Sequence, residues 1–402
     1  MGARTRKPEG IPAQYCSVGK GGGVECRHSH GLHEAMEWSQ ELLPVLGYFL
    51  LILVLLVLIS PNVLPSSIPS RRSQVTSGAA SSSAMCYLGL AILSIGFTWT
   101  YMFKYFQRSF EVAAARAGPN ASKYTVKEWL ASTSLFVEAW HQVCATPMAW
   151  WWSQVLCAWT AGPITGFWYF EGQRHRIRRV WAFMLLGQVV AISFAQNLFF
   201  LALALSPTTL SPRSITTSPL LIWSTLLSFL TIALVPSTIH KPTFLPNLLL
   251  MHILLLFPLL PVSTRAPRKS LLSPSALYLL YSLLSIALRY PTYVTLPSSS
   301  KQTPLHLLSA IQTLSSHPAQ SSISYDVVFA FLSMLVFIIL EGKEDRSLLD
   351  WIGVVAIAAT TPFLGIAATS GFWLAQRERT IARRVQKGKA KEVDEGGVGK
   401  VE

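Results

Sequence analysis

The stretch LPVLGYFLLILVLLVLIS, Leu43 to Ser60, is 18 residues long and carries no charged side chain. As a helix it covers about 27 Å, close to the hydrocarbon thickness of a bilayer. Seven more apolar segments follow, at 85–106, 149–170, 180–204, 219–236, 246–262, 326–341 and 350–374. The whole chain of 402 residues is 51% hydrophobic and only 13% charged, against about 25% charged in a soluble domain. Such a composition excludes a soluble enzyme, a secreted disulfide scaffold and a disordered protein. The expected fold is all-α: a polytopic transmembrane helix bundle of about eight spans plus an interfacial amphipathic helix.

Three regions organise the chain. A polar tail, 1–40, is expected to be disordered, and the segment after it to act as a signal anchor with no cleavable peptide before it. The helical domain spans 41–376 and contains a Ser/Pro-rich loop at 263–325, in which the short apolar run 276–290 reads as interfacial or re-entrant. A basic tail, 377–402, is expected on the cytoplasmic leaflet. With eight spans and both termini cytoplasmic, 24 Lys and Arg lie inside and 9 outside, as the positive-inside rule asks. The loop Glu171–Arg179 breaks that rule, because its four arginines fall outside. Asn120, in the sequon Asn120-Ala121-Ser122, is then cytoplasmic and unmodified.

The net charge of +14 is distributed between and after apolar runs, which points to membrane orientation and away from nucleic acid. Cys16, Cys26, Cys86, Cys144 and Cys157 show no paired spacing. His28, His30 and His33 with Cys16 and Cys26 form a nominal metal set in a polar tail, and chance clustering explains it; no metal and no cofactor is expected. The chain has neither an Asp-rich diphosphate motif nor a Gly-rich phosphate loop.

Chemistry concentrates between Trp129 and Ala204, which hold eight of the 13 tryptophans. The triplet Trp150–Trp152 suits a membrane interface. Trp159 and Trp168 lie deeper, where an indole packs against a neighbour or offers its face to a cation. Glu138, His141 and Gln142 share one face of a helix over 129–146, so Glu138 and His141 can hold a proton between them; a solvated polar face explains the same pattern. Glu171 ends the third span, either as an acid or as a snorkelling carboxylate. In the fourth span Ser193, Gln196 and Asn197 share a face, with Gln188 about 80° from Gln196, as interhelical glue or as a pocket lining. Asp326 and Glu341 bracket the seventh span about 22 Å apart. Asp350 opens the last span, where an acid complements a helix N-terminus.

The stretches SLFVEAWHQVCATPMAWWWSQ (134–154) and GFWYFEGQRHRIRRVWAFMLLGQVVAISFAQNLFFLALAL (166–205), with FIILEG at 337–342, resemble the fungal integral-membrane terpene cyclases of meroterpenoid pathways, of the ascofuranone and macrophorin type. The resemblance covers 129–204 and, more loosely, 326–374. It implies an enzyme that protonates the terminal alkene or epoxide of a farnesyl chain, without ionising a diphosphate. On that reading Glu138, Glu171 and Glu341 are the candidate catalytic acids. His141, Trp159, Trp168, Gln188 and Asn197 are candidates to line the pocket of an apolar isoprenoid or lipid substrate, with the endoplasmic reticulum membrane as the default location. Two other readings stay open: a sterol-isomerase-like membrane isomerase, and a non-enzymatic multi-pass transporter or scaffold.

Overall fold

The computed structural model describes residues 17–18, 24–25, 30–64, 77–118, 123–206, 215–261, 270–296, 303–341 and 347–398. Apart from a two-residue antiparallel pairing of Ser17–Val18 with Val24–Glu25, every regular element among them is helical. Most of the tail 1–40, including Cys16, Cys26 and His28, lies outside the described residues, as do the side chains of His30 and His33.

Four helices are long and apolar enough to cross a membrane: Leu43–Val63, Ser82–Arg116, Pro219–Thr238 and Pro318–Glu341. The first two belong to α1 (His30–Val63) and α2 (Ser77–Arg116). At 40 residues α2 is about 60 Å long, twice the hydrocarbon thickness. The expected amphipathic helix over 129–146 is two helices, α3 (Val126–Ser132) and α4 (Leu135–Cys144), because Thr133 is extended and Ser134 starts a new N-terminus.

The third apolar segment forms α5 (Pro147–Trp159), a π-helical turn (Thr160–Ile164) and α6 (Thr165–Arg174). Pro163 removes a backbone donor from this turn, and the wider π ladder absorbs the gap. Gly162 lets two rings close onto the turn: a Cβ there would sit 2.9 Å from both Phe229 and Tyr281.

The segment 180–204 differs from expectation. It is not one span but two helices, α7 (Val180–Val189) and α8 (Ile192–Leu205), separated where Ala191 is fully extended (φ −170°, ψ 137°). Phe183 packs edge-on against Phe199 at 5.3 Å, so the helices run antiparallel. Beyond α8, Ser206 Oγ returns to within 2.7 Å of His175 Nδ1, just past the end of α6. The segment enters the bundle and leaves it at the same end.

After α9 (Pro219–Thr238) and α10 (Phe244–Leu256), the Ser/Pro-rich region holds a 22-residue helix, α11 (Pro274–Thr295), whose Tyr278 and Tyr281 are fully buried. The run 276–290 is therefore part of a long helix rather than of a loop, and its hydroxyls bond back onto that helix, Ser282 to Tyr278 O and Ser285 to Tyr281 O. The short α12 (Thr303–Leu314) leads into α13 (Pro318–Glu341), which runs parallel to α8. Asp326 lies a third of the way along α13 and not at its end.

The last apolar segment also turns back on itself. α14 (Leu348–Leu364) starts with a capping box between Ser347 and Asp350, as expected of that acid, and ends at Gly365. α15 (Ile366–Val398) then doubles back, with Thr361 and Thr369 hydrogen-bonded at 2.7 Å across the turn. It runs on as helix through the expected C-terminal tail, and Arg377 and Glu378 turn inward.

Candidate functional site

Two ends of the bundle can be distinguished. At one, α6, α13 and α15 deliver a compact ionic cluster. Arg174 clamps Glu378 through both nitrogens (2.5 and 2.6 Å) and reaches Glu171 at 2.5 Å. Arg377 bridges Glu171 at 2.7 Å and Glu341 at 2.5 Å. His175 Nε2 stands 3.3 Å from the second oxygen of Glu171. The guanidinium of Arg377 lies between the rings of Phe167 (5.9 Å) and Phe337 (6.0 Å).

Glu171, at 1% exposure, sits beyond the apolar segment at the centre of this cluster. Burial pushes its carboxyl upward, but Arg377, His175 and Arg174 outweigh that and hold it well below the usual carboxylate range. A carboxylate between two guanidinium groups is held ionised, an arrangement that favours an ion-pair role for Glu171 over that of a donor acid. Glu341 is committed to the same arginine. The structure brings these two nominees together, but as an interhelical lock.

Glu138 is elsewhere. It is exposed, and its carboxylate accepts from Thr133 Oγ1 (2.8 Å) and Ser134 N (3.0 Å), capping its own helix. The proton-sharing pair with His141 is not formed: the His141 ring instead packs 4.6 Å from that of Phe244. Glu138 and Gln142 line a cavity of about 550 Å³ with Tyr105, Arg108 and His317. Burial and the nearby Arg108 lower the pKa of His317 there.

The polar residues of the broken fourth segment divide. Gln188, on α7, donates to His252 O at 3.1 Å, away from the others. On α8, Gln196 accepts from Trp159 Nε1 at 2.9 Å and donates to Ala330 O at 2.8 Å, tying α5 and α13 together. Trp159 thus packs and donates, and among the described residues no cation faces it. Asn197 donates to Ser193 O at 2.8 Å, while its Oδ1 is buried without a partner. Trp168 is fully buried against Phe199 at 5.5 Å and borders a smaller cavity of about 190 Å³.

One turn before Gln196, the first N–H groups of α8 converge on Asp326. Ser193 N donates to Oδ1 at 2.7 Å and Ile192 N to Oδ2 at 3.0 Å. Asp326 is 6% exposed, and among the described residues no cation lies within ion-pair reach of it. This carboxyl group comes from a different helix, and by taking the N–H groups of an N-terminus that has no side-chain cap of its own it pins the tip of a hairpin. Sequence reasoning named Asp326 but placed it at a membrane edge, because the polar run Ser321–Tyr325 reads as loop. Arg377 and Glu378 were missed as well. Their signal is the stripe of buried Ser370, Leu374 and Glu378 with half-buried Arg377, which keeps helical spacing past the apolar segment.

A family model described as "Protein of unknown function DUF2834" matches residues 277–379. That stretch runs from α11 to Arg379 and includes Asp326, Glu341, Arg377 and Glu378, but not Glu171 or Arg174. No curated protein and no solved structure matches the chain.

Proposed function

We propose that this membrane protein is a proton-initiated isoprenoid cyclase of the meroterpenoid kind, with Asp326 as the donor acid. The observation that carries the reading is a buried carboxyl at the tip of the α7–α8 hairpin whose proton no guanidinium contests. Ionisable groups at membrane depth are functional candidates by default. Asp326 Oδ–H gives its proton to the terminal alkene carbon or epoxide oxygen of a farnesyl chain. The chain's own double bonds then close on the cation, and loss of a proton ends the reaction with mass unchanged. Buried rings at this level, Trp159 foremost, shield the cation. Gln196 and Asn197 supply polar contacts for the hydroxyl or quinone end of the substrate, while a dry core keeps water from the cation.

The test is product analysis from yeast membranes fed a farnesylated phenol and, separately, its terminal epoxide. An isomeric product from the wild type that disappears in Asp326→Asn supports the reading. No isomer from either substrate, with expression verified, rejects it.

The same hairpin favours a second reading. Transporters place a half-helix N-terminus at midplane to meet an anionic group, and α8 presents its N-terminus to Asp326. A transporter leaves substrate chemically unchanged, so the same product analysis separates the two.

We further infer nine membrane crossings, by α1, α2, α5–α6, α9, α10, α11, α13, α14 and α15, with α7–α8 re-entrant. The face at Glu171, with the segments joining helix ends there, carries 20 of the 33 Lys and Arg, which makes it cytoplasmic. The four arginines of Glu171–Arg179 then obey the charge rule they broke in an eight-span arrangement. The endoplasmic reticulum is the membrane this reading assigns.

A further inference from the structure

At the opposite end of the bundle a single cation is buried without an acid. Arg289, near the end of α11, is 7% exposed. Its Nε donates to Phe363 O at 3.0 Å, its Nη1 to Trp151 O at 3.4 Å, and its guanidinium lies 4.2 Å over the Trp151 ring. Its Nη2 is buried with no partner, and among the described residues no carboxylate pairs with it. A charge so placed is costly when nothing neutralises it. Two carbonyls and one ring face satisfy part of the guanidinium and leave an edge open for an anion.

The surroundings fit a phosphate group. Arg289 lies 14 residues from Ser275, which bonds Arg379 beside the ionic cluster; this puts it about 21 Å along α11 from that face. The site is therefore near the other membrane surface, where lipid phosphates lie. Tyr290 next to it is 69% exposed and Phe363 is 39% exposed, so the lining reaches the lipid-facing surface. The α14–α15 turn closes over the guanidinium at Gly365, whose Cβ position is 3.6 Å from both Arg289 Cδ and Nη1. Only Val354 and Thr361 of α14 are buried, so this helix can shift outward at little cost in packing. Thr292, one turn after Arg289, and Gln154 are hydrogen-bonded to each other at 3.4 Å and are further polar groups on the same two helices.

We propose that Arg289, with Trp151 and the Gly365 turn, forms a binding site for a phosphate-bearing anion between α5, α11 and the α14–α15 turn. The lipid source is a phospholipid headgroup; the soluble source is free phosphate. The site is independent of the cyclase reading and uses none of its residues.

The test uses the full chain, purified and delipidated in detergent, with dioleoyl phosphatidic acid, dioleoyl phosphatidylcholine and inorganic phosphate as probes. Melting temperature and native mass spectrometry are read together. The site predicts that the wild type is stabilised and retains the anionic lipid. Arg289→Met should lose at least about tenfold in apparent affinity, yet melt no lower than wild type without lipid, because an unpaired buried charge has gone. Arg289→Lys should keep part of the gain, and Arg379→Gln at the opposite face should keep all of it. Equal stabilisation by inorganic phosphate supports the site and assigns the soluble source. Equal gains in wild type and Arg289→Met, or no gain in the wild type from any probe, overturns it.

Discussion

A carboxylate and a carboxylic acid do opposite chemistry, and the neighbours of each acid in this bundle decide which it is. Glu171 is held ionised by Arg174 and Arg377, so Glu171→Gln leaves two buried guanidinium groups short of a counter-charge. We expect a loss of about 3–5 kcal/mol at pH 7, measured by thermal unfolding in detergent. Because the folded pKa is depressed, this contribution is present above the ordinary glutamate value of 4.5. It is lost as pH falls through the folded value, so the gap between Glu171→Gln and wild type should narrow only in strong acid. Glu138 does less: its carboxylate caps an exposed helix end, and Glu138→Gln should cost about 1 kcal/mol or less. Nothing at Glu138 or Glu171 in the sequence tells these fates apart. Their difference comes from Arg377, 206 residues after Glu171.

Hairpins, rather than straight spans, distinguish this bundle at the level of its elements. The apolar runs 180–204 and 350–374 each have the length and hydropathy of one crossing, and apolar content does not record a reversal of direction. The second reversal does leave a trace, since Gly365 adopts φ 83° and ψ 153°, a region essentially reserved for glycine. Gly365→Ala should cost about 1–3 kcal/mol, seen as a lower melting temperature. The first reversal has no glycine at its tip. Val190 and Ala191 turn because Asp326, on another helix, receives the freed N–H groups of α8, a long-range cause that no local pattern carries. Helix content, the apolar cores and Asp350 at the start of α14 follow local rules and were legible. The ladder of amides on α8 was also legible as polar in an apolar helix, but its partners Trp159, Ala330 and Asp326 were not.

For the molecule as a whole, the two hairpins change how charge divides between its faces under the proposed topology. The proposed nine crossings put the C-terminus in the cytoplasm and the segment between Gly118 and Lys123 on the other side. Asn120 should therefore carry a glycan when the chain is expressed in yeast, shown by an endoglycosidase-sensitive mobility shift that Asn120→Gln abolishes; an eight-span arrangement leaves it bare. Within this frame Asp326 is buried on the N–H groups of Ile192 and Ser193, while Glu171, Glu341 and Glu378 each pair with an arginine. The most direct measurement is the rate of isomeric product formation from the farnesylated phenol or its epoxide in membranes holding equal amounts of folded wild type, Asp326→Asn and Glu171→Gln. The account predicts loss of turnover by about a hundredfold or more in Asp326→Asn, with Glu171→Gln retaining turnover in proportion to its folded fraction. Full turnover in Asp326→Asn, or its selective loss in Glu171→Gln, would contradict it.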